Sequence, residues 1–357
     1  MPEPAVTVAM SVFNGAPFLS EAIESVLGQD FGDFEFLIVD DGSTDASPTI
    51  VRDYAAKDSR IRPILRENRG LVASLNEMIE SARAPLIARM DSDDICRPDR
   101  FNRQVRFLNA NPDYGVVGSW SEDIGVHGEP LVRTGADHPV THEEMVSSIQ
   151  SGGPLICHPA AMFRREIVRA VGGYHSAFVH CEDLDLWLRL SSVTRLGNIP
   201  ERLLKYRRYP DQVSSRHAME QQIGSVVAHA AWRERRAGRP DPTASLLHLP
   251  PIDELDTLFG QTGLAWTVRE QAALGLLYSP AALRGEIRVS PQLPEGRWPA
   301  RGDVANRAAA RSLWRAPARA SPGMAAASIL RSLTLPCLHT WSRKRGLRRP
   351  RAAARAA

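Results

Sequence analysis

No stretch of this sequence is apolar for the roughly 18–20 residues that cross a bilayer. Nor does it open with a basic segment followed by an apolar one. Residues 1–4 lead straight into a strand-like run, so no secretory signal is expected. The four cysteines (Cys96, Cys157, Cys181, Cys337) have neither zinc nor redox spacing. They are expected to be reduced thiols of a cytoplasmic protein, not a disulfide framework. The N-terminal region holds a single Gly15 where a nucleotidyltransferase would need a Gly-rich phosphate loop. Aromatic residues do not interleave with the basic ones near the C-terminus, so no nucleic-acid partner is expected.

What remains has the composition of an ordinary globular protein, with room for one large domain or two smaller ones. The net charge of +3 hides an asymmetry. From Arg301 onward 13 Lys/Arg face one acid, Asp303, while the rest of the chain carries 31 Lys/Arg against 40 acids. The body is acidic and the tail basic.

The most informative stretch is 86–100, L-I-A-R-M-D-S-D-D-I-C-R-P-D-R. An apolar run, 86–90, reads as a buried strand that stops at three carboxylates. Asp91 and Asp93 are two apart, so an extended backbone turns them to the same side, and Asp94 follows. Acids packed this closely repel one another unless a cation lies among them. Oxygen-only ligands suit Mg²⁺ or Mn²⁺. A solvated acidic loop capping a helix is the competing reading, because the motif is short. Pro98 and Asp99 suit a helix start, with Arg100 as its pairing charge. Phe101, Val105 and Leu108 follow at helical spacing.

Upstream, strand-like runs at 6–12, 34–39 and 61–65 alternate with helical patterns that begin near Phe18, Pro48 and Leu71. The order β-α-β-α-β-α-β predicts a doubly wound α/β sheet. Ligands of such sheets lie beyond the carboxyl ends of the strands. Asp40, Asp41, Asp91 and Asp93 all fall at such ends, which a solvated-loop reading does not explain. Asp45 reads as a helix cap.

Five blocks in order, V-A-M-S-V-F-N-G-A-P-F-L, E-A-I-E-S-V-L-G-Q, F-L-I-V-D-D-G-S-T-D, E-N-R-G-L and M-D-S-D-D, resemble the family 2 nucleotide-sugar glycosyltransferases over about 6–215. The resemblance implies the nucleotide-diphospho-sugar transferase (GT-A) fold, a divalent metal (Mn²⁺ or Mg²⁺), a nucleotide diphosphate leaving group and inversion at the anomeric carbon. It implies base binding by Ser11, Phe13, Asn14 and by Asp40 or Asp41. Arg69 either contacts the nucleotide or pairs with nearby acids. Asp91 matches the residue facing ribose or metal, and Asp93 the main metal ligand. UDP is the expected nucleotide, with dTDP and GDP open. V-D-D-G-S-T is also similar to the nucleophile motif of haloacid dehalogenase phosphatases, but that motif needs Asp where Val39 stands.

In the second half, Glu182 and Asp183 open a helix whose Leu184, Trp187, Leu188 and Leu190 face the core. The block resembles the family's E-D pair, which makes Asp183 the expected base and Glu182 the second choice. Asp185 faces solvent or pairs with Arg189. Residues 157–163 read as a strand. His158 either lines the acceptor pocket or is a buried, hydrogen-bonded histidine. His175 stands where the family often has Asp after G-G-Y. L-L-K-Y-R-R-Y resembles the closing segment of the family, with Tyr209 where a His is expected. Either Tyr209 replaces that His, or Arg207 and Arg208 neutralise the diphosphate. The Q-x-x-R-W signature of processive members is absent, which favours transfer of a single sugar to a glycan or lipid-linked acceptor.

The expected organisation is a catalytic domain at 1–216 (nucleotide half 1–120, acceptor half 121–216), a helical extension at 217–290 and a basic, partly disordered tail at 291–357. Within the extension, 221–236 and 255–278 read as helices and 240–251 as a linker. The apolar stretch 324–341 and the basic end after it suit a peripheral contact with the inner face of the cytoplasmic membrane, or a disordered tail. A binding protein of this fold without catalysis is the competing class.

Overall fold

The computed structural model describes residues 3–132, 137–210, 212 and 216–277. Expectations for the basic tail, for 324–341 and for 213–215 lie outside the described residues.

Four parallel strands build the first half. β1 (Val6–Val12), β2 (Phe34–Asp41), β3 (Ile61–Arg66) and β4 (Leu86–Asp91) are linked by α1 (Ala16–Leu27), α2 (Ser47–Lys57) and α3 (Leu71–Ser81). Every residue of β2 is buried, as expected of a strand covered on both faces. Pro17 lies in the first turn of α1, whose Leu19, Ala22, Ile23 and Val26 are buried. In register, Ser11 lies between Val39 and Asp91, and Val12 opposite Asp40. The acids ending β2 and β4 therefore flank the end of β1, two strand spacings or roughly 10 Å apart.

The second half extends the expected doubly wound α/β sheet with strands of mixed direction. It comprises β5 (Ile95–Cys96), α4 (Arg100–Ala110), β6 (Tyr114–Ile124), α5 (His142–Ser151), β7 (Met162–Arg164), α6 (Arg165–Ala170), α7 (Glu182–Leu190) and β8 (Arg195–Arg207). One eight-stranded sheet runs β3-β2-β1-β4-β7-β6-β8-β5. β7 is antiparallel to both β4 and β6, and β5 is antiparallel to β8. The strand expected at 157–163 shrinks to Met162–Arg164. His158–Ala160 forms a 3₁₀ turn instead, with the Pro159 ring in it, because proline brings no N–H to a ladder.

Beyond β8, α8 (Ala218–Arg236) lies against α7. Gly224 permits the approach, since a Cβ there would meet the Cys181 Cβ at 2.8 Å. The expected linker is part of the core: Thr243 is buried and Leu246 and Leu249 pack on the main apolar cluster. The single helix expected at 255–278 is two, α9 (Leu255–Phe259) and α10 (Leu264–Leu277). They are separated by Gly260, whose left-handed φ of 59° ends α9. Residues 1–276 form one compact unit.

Candidate active site

The acidic turn is held from a distance. β5 pairs with β8, and this pairing delivers Arg207 to residues 91–94. The Arg207 backbone N–H donates to Asp94 Oδ1 (2.8 Å), and its Nε donates to the Asp93 carbonyl (2.8 Å). Carboxylate oxygens of Asp91, Asp93 and Asp94 lie within 4.8 Å of one another. Burial and then Asp91 push Asp93 up to about 6, although the Tyr209 hydroxyl donates to its Oδ2 at 2.8 Å. Burial, Asp91 and Asp93 hold Asp94 well above the ordinary carboxylate range, and its Oδ2 is buried without a protein partner. This all-oxygen set with an unpartnered acceptor fits a hard divalent cation. Asp94 joins the two expected ligands, Asp91 and Asp93.

At the ends of β2 and β3 an open groove of about 470 Å³ is lined by residues including Asp40, Ser43, Arg52, Leu65, Arg66 and Asn68. Asp40 is buried, its Oδ1 accepting the Ser43 N–H at 2.9 Å. Asp41 is committed elsewhere. Its oxygens accept the N–H groups of Arg69 and Gly70 (2.9 Å each) and the Arg66 guanidinium. Arg69 thus meets an acid through its backbone, its side chain being exposed. The cation paired with Asp41 is Arg66, which the sequence reading missed and only the β2–β3 register reveals. Gly42 has φ +79°, and a Cβ there would come within 2.6 Å of the Asn68 nitrogen.

Ser11 is half-buried beside Asp91, and Phe13 is 54% exposed at the rim. Asn14 takes a left-handed φ of 52°, donates its N–H to Ser43 Oγ (2.9 Å) and accepts the Thr44 N–H (2.8 Å). Asp45 caps two helices at once, accepting from Ala16 N–H (3.0 Å) and Ser47 N–H (2.9 Å). Asp99 pairs with Arg97 and Arg103, which hold its carboxyl at about 2. The expected pairing charge, Arg100, is instead fully buried and donates to Gln104 (3.0 Å) and to the carbonyls of Arg89 (2.8 Å) and Ala161 (3.2 Å).

On the other side, His180 has a left-handed φ of 65° and turns the chain into α7. Asp183 Oδ1 accepts the Leu184 N–H at 2.8 Å. Burial raises its carboxyl, opposed by that N–H and by Arg89. Glu182 is buried, its Oε2 has no protein partner, and burial together with Asp183 pushes it up to about 7. Asp185 is buried and paired with Arg189 at 2.7 Å, so its solvent-facing alternative falls away. His158 is buried, with Nε2 2.8 Å from the Tyr174 hydroxyl. Burial and then Arg89 hold it well below the ordinary histidine range. It is the hydrogen-bonded histidine of the two alternatives. His175 accepts the Ala177 N–H at Nδ1 (3.1 Å), so its Nε2 donates to the Thr243 carbonyl (3.0 Å).

The reading of Arg207 as a free cation for a diphosphate is corrected. The residue is 1% exposed, and its guanidinium serves the carbonyls of Asp93, Gly125 (3.2 Å) and Val126 (3.0 Å) and the Glu21 carboxylate (2.5 Å). Of the closing segment, the Arg207 guanidinium reaches the backbone of the acidic turn and the Tyr209 hydroxyl one of its carboxylates.

A sequence profile described as glycosyl transferase family 2 matches residues 7–172. Glycosyltransferase EpsE of Bacillus subtilis is 34% identical over 238 residues, 64% of this chain and 82% of that protein. The amylovoran biosynthesis glycosyltransferase AmsE of Erwinia amylovora is 28% identical over 203 residues, 56% of this chain and 73% of its own. Among solved structures, the mannosyltransferase PcManGT of Pyrobaculum calidifontis, in complex with GDP-Man and Mn²⁺, superposes with a TM-score of 0.52 at 18% identity, covering 96% of this chain and 88% of that one. That likeness is one of fold, and it is the GT-A fold expected from the motifs. With the motif blocks in order on this scaffold and a relative matched over most of its length, the chain belongs to glycosyl transferase family 2.

Proposed function

We propose that this glycosyltransferase is metal-dependent and inverting, and moves a single sugar from a nucleotide-diphosphate sugar to a hydroxyl acceptor. The observation that carries the reading is electrostatic convergence. The acidic turn after β4 and the first turn of α7 come from separate parts of the chain, yet Asp91 bears on both Glu182 and Asp183. One crevice therefore offers a cation cage beside a candidate base.

Asp91, Asp93 and Asp94 would hold Mn²⁺ or Mg²⁺, which when bound supplies Lewis-acid stabilisation for the departing diphosphate. Asp183 takes the proton of the attacking hydroxyl. Glu182 is pushed up to about 7 by burial and Asp183, whereas at Asp183 the Leu184 N–H and Arg89 oppose the rise that burial causes. The groove at Asp40 and Ser43, with Ser11, Phe13 and Asn14 at its edge, takes the nucleoside, UDP being the first candidate. Tyr209 steadies Asp93 in place of the expected histidine.

Relatives named for amylovoran and O-antigen biosynthesis support a cell-surface polysaccharide or lipid-linked glycan as acceptor. We place the reaction at the cytoplasmic side of a membrane, with the catalytic part at 1–216 and contact made by the basic tail. Among the described residues no helix is long and apolar enough to cross a membrane.

A thermal-shift panel of nucleotide diphosphates and nucleotide sugars, with and without Mn²⁺, tests this reading, because a ligand of the native state raises the melting temperature by mass action. A metal-dependent shift with one nucleotide is expected. No shift with any of them would overturn the reading.

A further inference from the structure

The first turn of α1 carries an aromatic ring that the core does not use. Leu19, Ala22, Ile23 and Val26 form the buried stripe of this helix. Phe18 and Glu21, three positions apart, share another face. Phe18 is half-buried and belongs to neither apolar cluster of the described residues. Its face meets the closing segment instead. The Arg207 guanidinium lies over the Phe18 ring, 4.7 Å from the centroid, and reaches the Glu21 carboxylate at 2.5 Å. The Tyr209 ring packs on Phe18 with centroids 5.2 Å apart and a tilt of 46°. Arg207 Nε donates to the Asp93 carbonyl (2.8 Å) and the Tyr209 hydroxyl to Asp93 Oδ2 (2.8 Å). One ring thus touches both side chains through which the closing segment holds Asp93.

Phe18 is itself well anchored. Asp45 Oδ2 accepts the Ala16 N–H and Ser47 Oγ the Gly15 N–H, each at 3.0 Å, so the start of α1 is fastened to the turn ahead of α2. Gly15 also lies against the acidic turn, since a Cβ there would come within 3.1 Å of Ser92 Oγ. The Phe34–Phe101 pair makes a contrast. Both of its rings are buried in the core, edge to face at 5.8 Å. The Phe18–Tyr209 pair is half-buried, and its outer ring ends on a carboxylate of the proposed cage. A tyrosine has two side-chain torsions, and its hydroxyl stays on one acceptor only while the ring is held.

We infer that Phe18 is a positioning residue for the cation cage, its ring holding Tyr209 in the orientation that puts the hydroxyl on Asp93. A hydrocarbon ring of the nucleotide half, able to ligate nothing itself, thereby sets the affinity for the divalent cation. This rests on Asp93 being a ligand of that cation. Without the Phe18 ring, Tyr209 is free to turn to water, and Asp93 loses the donor that fixes it. Phe18 and Tyr209 then act through one bond, so the effects of removing them do not add.

Mn²⁺ titrations of the full chain by calorimetry, on Phe18→Leu, Tyr209→Phe and the double variant, test this. Phe18→Leu should lower Mn²⁺ affinity about tenfold, as Tyr209→Phe does. The double variant should lie within about twofold of either single one. Phe18→Tyr, which keeps the ring, should bind within about twofold of wild type. A general loosening of α1 would instead add its loss to that of Tyr209→Phe. Should Phe18→Leu fail to fold, the ring resonances of the wild-type protein give the answer. Mg²⁺ should shift the Phe18 signals together with those of Tyr209 and leave Phe34 and Phe101 unmoved. Additive losses, wild-type affinity in Phe18→Leu, or Phe18 signals indifferent to Mg²⁺ overturn the inference while leaving the cage intact. Undiminished Mn²⁺ binding by Asp93→Asn overturns both.

Discussion

The two acidic clusters of the site use one functional group and are restrained in opposite ways. Asp91, Asp93 and Asp94 sit in a turn between strands, and two of them are held from far along the chain, Asp94 by the Arg207 backbone and Asp93 by Tyr209, while Asp91 pairs with Arg89 on its own strand. Glu182 and Asp183 sit on the first turn of a helix, where the Leu184 N–H and the positive end of the helix dipole are supplied locally. Asp91 pushes up Asp93, and both push up Asp94, so this cluster calls for positive charge among its oxygens. The two carboxylates of α7 divide the burden unequally: Glu182, with Oε2 unpartnered, is pushed up to about 7, while the Leu184 N–H opposes the rise at Asp183. Number and partners, not residue type, separate the proposed cation cage from the proposed base.

That division is most sharply tested by removing one acid from each cluster. Asp183→Asn should keep nucleotide binding and lower turnover by about 10²–10⁴-fold, the usual worth of a general base. Calorimetry beside a turnover assay checks both halves of the claim, and near-normal turnover would remove Asp183 as base. Asp93→Asn should act on the other side. Nucleotide diphosphate binding should lose its dependence on Mn²⁺ and weaken by about tenfold or more, as removal of a metal ligand implies. Undiminished, metal-dependent binding would show that the cage is elsewhere.

The first cluster was readable because its strand is. Continuous apolar runs and short helices predict four parallel strands, and a parallel sheet puts Asp40 and Asp91 at one edge whatever the loops do. The second half resisted for physical reasons. A strand of three residues, Met162–Arg164, has no period to detect, and Pro159 disguises a 3₁₀ turn as its beginning. Arg207 looked available because its guanidinium's hydrogen-bond partners lie 81 to 186 positions away, at Val126, Gly125, Asp93 and Glu21. In R-E-N-R-G, Arg66 and Arg69 are equivalent on paper, and strand register alone selects Arg66 for Asp41. The proposal of Asp183 as base rests on resemblance, since a carboxylate at a helix start is otherwise an ordinary cap.

Smaller effects refine the contrast between restraint from afar and restraint at hand. Tyr209→Phe removes one long-range bond to Asp93 and nothing from α7. Mn²⁺ affinity, measured by calorimetry, should fall about tenfold, the lower end of what outer-shell partners of metal ligands contribute, with the helix pair untouched. An unchanged affinity would mean that the Tyr209 hydroxyl is not what steadies Asp93.

The mildest change concerns Glu182 and appears as stability. Its carboxyl sits at about 7 in the folded protein against an ordinary 4.5, so the folded state holds this proton more tightly than the unfolded chain does. Such a group contributes stability that is complete below about 4.5 and lost as pH rises through about 7. Asp93, pushed up to about 6, and the raised Asp94 and Asp183 lose stability in the same direction, so the wild-type melting curve mixes all of them. Glu182→Gln isolates the Glu182 share, because an amide cannot ionise and the components of the other acids survive. Without nucleotide or metal, the wild-type melting temperature should fall between pH 5 and pH 8, and the variant should fall less. At pH 8 the variant should melt higher by roughly 2–4 °C for each kcal/mol of repulsion removed. If wild type and variant decline in parallel, Glu182 is already ionised at neutral pH, and the unequal division of charge between the two acids of α7 is wrong.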